Sequence, residues 1–229
     1  MGRRREQLHG GKRALPAAPA GAPGGRRVRA VFLDRDGTII HDVHFLRRPE
    51  DIRVLPGACG AIRALREAGF KVVVVSNQSG VARGYVSEDG LAAIERELAR
   101  RLEARGARVD RWYYCPHLDG APVQAYDVSC ECRKPKPGMI LRAATELGID
   151  LARSSAVGDS PRDIEAARAA GVGTTVLLAG RSGADRARVR GAAAADHVAR
   201  DLRAAAAWIV ARQAVSRGGG ACGTAGRRK

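Results

Sequence analysis

The sequence predicts an α/β domain, a parallel sheet with helices packed on both faces. Three observations carry that expectation. Short apolar runs alternate with amphipathic stretches long enough for helices, the pattern of successive strand–helix units. One run, Val72 to Val75, is β-branched without a break, as a strand buried on both faces must be. In such sheets ligands bind beyond the carboxyl ends of the strands. The residues that follow the runs here are chemically pointed: Asp34 and Asp36, Ser76 and Asn77, and Asp159.

Taken in order, the first strand is 30–33, Ala-Val-Phe-Leu. A helix over 57–69 has Ala58, Ile62 and Leu65 on one face and stops at Gly69. The second strand is 71–75. Ser87 caps a long helix whose apolar stripe is Leu91, Ile94, Leu98 and Leu102, with Gly106 as its C-terminal stop. Residues 109–114 read as a third strand and 115–136 as a loop dense in Cys, Pro and charge. Pro137 opens a helix through 147 that ends at Gly148. Residues 154–158 form the fourth strand, leading to Asp159. Ser160, with Pro161 next and Asp163 third, opens a helix that stops at Gly171. The fifth strand is 174–178 and the last amphipathic helix 200–214. The whole is a Rossmann-like arrangement with no internal repeat.

The 229 residues suffice for one good-sized core. The formal charge of +16 invites a nucleic-acid reading, but its distribution opposes one. Residues 1–29 contribute +7, residues 215–229 contribute +4, and the 185 residues between them only +5. The basic excess lies mainly in two tails, 1–27 and 215–229, too poor in large apolar residues to offset the entropy of ordering them. They are read as disordered, flanking a folded domain over 28–214. No apolar run approaches the roughly 20 residues of a membrane helix. The Arg3-Arg4-Arg5 start has no apolar segment behind it, so no secretory signal is read. The expected location is the cytoplasm, the expected state a monomer, and no specific nucleic-acid or membrane partner is expected.

Asp34-Arg35-Asp36-Gly37-Thr38 puts two carboxylates one residue apart at a strand end. Such an oxygen-rich site suits Mg²⁺, which offsets the repulsion between an attacking carboxylate and a phosphate dianion. A solvated acidic turn is the alternative, since Asp-Gly is a common turn pair. Ser76-Asn77-Gln78-Ser79-Gly80 offers a hydroxyl and backbone N–H groups for phosphoryl oxygens, or is simply a loop. Arg133-Lys134-Pro135-Lys136-Pro137-Gly138 sets cations beside a helix N-terminus, or is a solvated basic loop. Gly158-Asp159-Ser160-Pro161-Arg162-Asp163 places an acid at another strand end. Capping explains Ser160 and is one of two readings of Asp163, but does not explain Asp159. Cys115-Pro-His117 and Cys130-Glu-Cys132 supply a Cys₃His set that suits a closed, structural Zn²⁺ site. Cys59 reads as core and Cys222 as an idle thiol in the tail.

The four phosphate-directed motifs, in this order and roughly 40, 60 and 25 residues apart, resemble the motif set of the haloacid dehalogenase-like phosphatases. That resemblance implies a nucleophilic Asp34 that forms a phosphoaspartate. It implies Asp36 as general acid, then base. Mg²⁺ would be held by Asp34, Asp159 and the backbone carbonyl of Asp36, with Ser76 and Lys134 stabilising the phosphoryl group. With the cysteine loop added, the pattern resembles the D-glycero-D-manno-heptose 1,7-bisphosphate 7-phosphatases. These lack a large cap domain and carry a zinc loop, here 115–132. The resemblance implies that Arg133 and Asp42, Val43, His44 and Phe45 contact the sugar or its distal phosphate. Arg35, Asn77, Gln78, Ser79 and Ser160 would complete the substrate site. Some members carry Lys where this chain has Ser160. Histidinol-phosphate phosphatases share the same motifs and are the nearest alternative. A polynucleotide 3′-phosphatase and a non-catalytic phosphosugar-binding protein are more distant ones.

Overall fold

A computed structural model describes residues 27–179 and 195–218, with side chains as far as 213. The described sheet has six strands, all parallel, in the order β3-β2-β1-β4-β5-β6. The strands are β1 (Ala30–Leu33), β2 (Lys71–Asn77), β3 (Arg111–Cys115), β4 (Ser155–Gly158), β5 (Thr174–Leu178) and β6 (His197–Ala199). Among the described residues five α-helices accompany them: α1 (Ala58–Glu67), α2 (Glu88–Glu103), α3 (Gly138–Leu147), α4 (Pro161–Ala169) and α5 (Leu202–Gly218). The expected α/β class and strand–helix alternation are therefore present, and no inserted cap domain occurs among the described residues.

The alternation of side chains along each strand divides the core in two. Val31, Leu33, Val72 and Val74 pack under the face that carries α1, α2 and α5. Ala30, Phe32, Val73 and Val75 point the other way, toward α3 and α4. The predicted stripe of α2, Leu91, Ile94, Leu98 and Leu102, is buried in full. Ser87 caps that helix through its side chain, which accepts from the Gly90 N–H at 3.0 Å.

Several boundaries differ from expectation. β2 runs two residues further than read, so Ser76 and Asn77 belong to the strand and pair in register with Tyr114 and Cys115. β6 was not read at all. It is three residues long, and its pattern is too short to register as a period. α5 extends to Gly218, four residues into the segment read as the C-terminal tail. The remainder of that tail, Cys222 and residues 1–26 lie outside the described residues.

Chain order reverses between β1 and β4: successive strands go one way from β1 and the other way from β4. That switch point opens a crevice at the carboxyl ends of two adjacent strands. Asp34 leaves β1 there and Asp159 leaves β4. The Asp34 N–H bonds to the Val157 carbonyl at 3.0 Å, which ties the two strand ends together.

Candidate active site

The crevice is a cleft of about 690 Å³ lined by residues of all four phosphate-directed motifs. At its floor lie three carboxylates, Asp34, Asp159 and Asp163, whose nearest oxygens all fall within 4.8 Å of one another. Two glycines make room for them. Gly37 has φ +75°, and a Cβ there would sit 1.9 Å from Asp159 Oδ2. A Cβ at Gly158 would sit 2.3 Å from Asp163 Oδ2. Glycine is therefore required at 37 for both backbone conformation and space.

The Lys134 ammonium holds this cluster together. Its Nζ donates to Asp34 Oδ1 at 2.7 Å and to the Val75 carbonyl at 2.8 Å, and pairs with Asp163 Oδ1 at 2.6 Å. Three donors meet three acceptors, so the ammonium is saturated. Burial works against its charge, but Asp34 and Asp163 outweigh it and hold Lys134 protonated well above the ordinary lysine range. The lysine is fixed from its backbone by Asn77. The Lys134 N–H donates to Asn77 Oδ1 and Asn77 Nδ2 donates to the Lys134 carbonyl, each at 3.0 Å. Asn77, expected to touch substrate, has its amide engaged in placing Lys134.

Asp163 performs both of its readings. Its Oδ2 accepts from the Ser160 N–H at 3.0 Å, capping α4, while Oδ1 faces Lys134. The carboxylate of Asp36 is not part of the cluster and turns instead to Arg35 and Gln78. The family resemblance gave Asp36 a part in holding the cation through its backbone carbonyl, and its side chain is engaged elsewhere. Three carboxylates around one point fit a hard divalent cation such as Mg²⁺.

Burial pushes the Asp34 carboxyl from 3.8 up to about 7. Lys134 opposes the rise and the neighbouring Asp163 and Asp36 add to it. Burial likewise lifts Asp159 to about 6, with Asp163 adding and Lys134 opposing. In the unfolded chain both ionise near 3.8. The metal-free fold thus enjoys their full contribution below that pH and loses it as pH rises through about 6 and 7. A cation binds only the ionised groups and restores what is lost. Mg²⁺ should therefore raise the melting temperature little at pH 5 and by roughly 5 °C or more at pH 8. Thermal denaturation with Mg²⁺ and with chelator at both pH values checks this; equal shifts would mean that the cluster is ionised throughout.

The second metal-competent group lies beside the first. Cys115 ends β3, and His117, Cys130 and Cys132 converge on it, with all four ligand atoms within 4.8 Å of one another. The sulfurs are 3.0–3.5 Å apart, far beyond the ~2.05 Å of a disulfide. His117 presents Nδ1, 3.3 Å from Cys132 Sγ. A compact S₃N set of this kind fits Zn²⁺. The loop it would close carries Arg133 and Lys134 directly after Cys132, and Arg133 Nη1 donates back to the His117 carbonyl at 3.0 Å. Cys59, away from this group, packs partly buried against the core, as read.

At the mouth the structure gathers Asp42, His44, Phe45, Ser79, Arg133 and Ser160, all expected, and adds Arg83 and Arg162. Val43 is exposed and does not line the cleft. His44 and Phe45 both adopt left-handed backbone conformations, φ 51° and 70°. Phe45 packs edge-on against Tyr85 at 5.0 Å, and Arg83 lies over its ring. Arg83 lies three residues after the Ser76–Gly80 motif, and nothing in its spacing shows that the turn after β2 returns it to the mouth. Arg162 leans on Ser160, Nε to Oγ 3.4 Å, and supplies a cation at a corner where Ser160 has none.

The family model of the haloacid dehalogenase-like hydrolases matches residues 42–171. The chain belongs to that family. Its relatives narrow the position. It is 48% identical over 143 residues to D-glycero-β-D-manno-heptose-1,7-bisphosphate 7-phosphatase of Rhodopseudomonas palustris, covering 62% of this chain and 79% of that one. It is 42% identical over 175 residues to the protein of the same name from Yersinia pestis, covering 76% and 92%. In three dimensions it matches the D,D-heptose 1,7-bisphosphate phosphatase of B. bronchiseptica, solved with magnesium and phosphate. That match has TM-score 0.70 and 37% identity, over 80% of this chain and 99% of the other. This haloacid dehalogenase-like chain is a phosphatase of the heptose bisphosphate phosphatase group, a phosphoric monoester hydrolase.

Proposed function

We propose that the chain hydrolyses the 7-phosphate of D-glycero-β-D-manno-heptose 1,7-bisphosphate and leaves the 1-phosphate in place. The observation that carries the reading is the juxtaposition in one cleft of a nucleophile-bearing floor and a cationic mouth. The floor holds Asp34, Lys134, Asp159 and Asp163, and the mouth holds Arg83, Arg133 and Arg162. A monophosphate needs only the floor; a second phosphate on the same sugar gives the mouth arginines a partner. The relatives' names supply the sugar and its anomer.

In this reading Asp34 attacks phosphorus, the bond to the sugar C7 oxygen breaks, and Asp36 gives that oxygen its proton. Asp36 then takes a proton from the water that cleaves the phosphoaspartate. Splitting the displacement in two lowers each barrier. Asp34, Asp159, Asp163 and the Asp36 carbonyl are the groups available to hold Mg²⁺, which supplies Lewis-acid neutralisation of phosphate charge. Ser76, 3% exposed, faces the same floor from β2, where its hydroxyl can meet a phosphoryl oxygen. Lys134 keeps Asp34 in place and adds positive charge beside it. The Cys₃His loop holds Zn²⁺ in a structural role.

Phosphate release from the α and β anomers of the bisphosphate and from histidinol phosphate, with Mg²⁺ and with chelator, tests the reading. The β anomer should exceed histidinol phosphate by about 10²-fold or more in kcat/KM, and chelator should abolish turnover. A preference for histidinol phosphate, or equal slow turnover of all three, would keep the phosphatase and overturn the substrate.

A further inference from the structure

Arg35, Gln78, Asp36 and Ser76 form one hydrogen-bond network beside the catalytic floor, in which only Arg35 Nη1 is left buried without a partner. Arg35 is 2% exposed and is the largest of the fully buried side chains among the described residues. Its Nε donates to Asp36 Oδ2 at 3.1 Å, and Nη2 to Oδ1 at 3.0 Å and Oδ2 at 2.9 Å. Nη2 also donates to Gln78 Oε1 at 2.9 Å. Gln78, 8% exposed, directs Nε2 at two acceptors, Asp36 Oδ2 and Ser76 Oγ, each at 2.8 Å.

The chemistry of this network fixes its polarity. A carboxamide has two N–H donors on nitrogen, and both are engaged here. Turning the amide over would set its oxygen against the Asp36 carboxylate and its NH₂ against the Arg35 guanidinium, two repulsive contacts. Arg35 therefore locks the orientation of Gln78. Because Ser76 Oγ accepts from Gln78, its own O–H is left to donate toward the cleft. Because Asp36 is held through both oxygens, its carboxylate cannot swing toward the cation floor, where like charges already crowd. Burial pushes the Glu95 carboxyl on α2 up, and the Arg35 charge opposes that rise.

From this geometry we infer that Gln78 and Arg35 are positioning residues, not substrate contacts: Gln78 aligns the Asp36 carboxylate and the Ser76 hydroxyl, and Arg35 locks Gln78. The inference rests on the proposed role of Asp36 and assigns to these two residues what the sequence pattern had given to substrate binding.

Gln78→Met removes every polar contact at nearly constant volume, and Gln78→Glu places a carboxylate against Asp36 in the same shape. Both should lower kcat on the bisphosphate by about 10- to 100-fold and leave KM within about twofold. Gln78→Met should cost less on p-nitrophenyl phosphate, whose leaving oxygen needs little help from an acid. Added to Asp36→Asn, Gln78→Met should cost no more than about a further threefold, since the two act as a unit. Arg35→Lys should lose kcat in the same sense, because an ammonium lacks the planar fork that pairs both Asp36 oxygens side by side while reaching the Gln78 carbonyl. A raised KM with kcat preserved would make Gln78 a substrate contact and overturn the inference. So would a full, additive loss on top of Asp36→Asn. If Asp36→Asn itself spares kcat, the proposed role of Asp36 fails; if Asp36→Asn is impaired and both Gln78 variants are not, only the positioning role fails. Melting curves show whether each variant is folded, and the isosteric Gln78→Glu serves if Gln78→Met is not.

Discussion

Asp34→Asn is expected to lower turnover of the bisphosphate by at least about 10³-fold while leaving the metal-free protein as stable as the parent, or more so, at pH 8. The loss follows from the nucleophile: an amide oxygen at this position cannot form the acyl phosphate, and two of the neighbouring carboxylates are engaged elsewhere. Asp163 is tied to Lys134 and to the Ser160 N–H, and the Asp36 carboxylate to Arg35 and Gln78. The retained stability follows from electrostatics. Burial and neighbouring Asp163 make the ionised Asp34 unfavourable in the metal-free fold, which is why its carboxyl is held up near about 7. Replacing it with a neutral isostere removes that cost, and Lys134 keeps Asp163 as its partner. The Mg²⁺-induced rise in melting temperature should shrink in the same variant, because one of three carboxylates is gone. Activity assays paired with thermal melts check all of this. Unchanged phosphate release from a folded Asp34→Asn protein would dispose of the covalent mechanism.

Cys132→Ser should cost several kcal/mol, lowering the melting temperature by about 10 °C or more, and should abolish the response of the parent to a zinc chelator. Loss of one ligand from a closed four-ligand set removes most of the metal's contribution to folding. The consequence should reach the active site, because only Arg133 separates Cys132 from Lys134. A loosened loop frees the Lys134 backbone from Asn77 and shifts the ammonium from Asp34. Turnover of the bisphosphate should therefore fall by about 10-fold or more even at temperatures where the variant is folded. Elemental analysis of the purified parent, together with its melting curve, provides the control. A parent without zinc, and a variant that melts with it, would show that the thiols merely pack.

Much of this was legible in the sequence because it depends on short-range pattern. The run Val72–Val75 could only be a strand buried on both faces. The 91/94/98/102 stripe could only be one face of a helix. Glycines at 69, 106, 148 and 171 marked the turns, and all four have positive φ. The residues of the floor were found for the same reason: in a parallel sheet, side chains that follow strands meet at one edge, so Asp34, Ser76 and Asp159 were placed by topology before any distance was known. The Cys₃His set was readable because its ligands lie within eighteen residues, close enough for one loop to bring together.

What the sequence could not yield was direction. The family resemblance implied that Arg35, Asn77 and Gln78 contact substrate, and all three line the cleft. The fold turns all three inward, to Asp36, to the Lys134 backbone, and to Asp36 and Ser76. Asp163 stands at a helix cap, yet its side chain reaches the floor, with Oδ1 on Lys134, only because Gly158 leaves room for it. Arg83 and Arg162 returned to the mouth through turns whose course no spacing reveals. The sequence by itself determined the fold class, the order of the strands' functional ends and the residues of the Cys₃His group, since these follow from residue type, periodicity and short spacing. The tertiary structure alone decided which polar groups face the ligand and which face one another, because that depends on close contacts, such as the 2.7 Å from Lys134 to Asp34, between residues 100 positions apart.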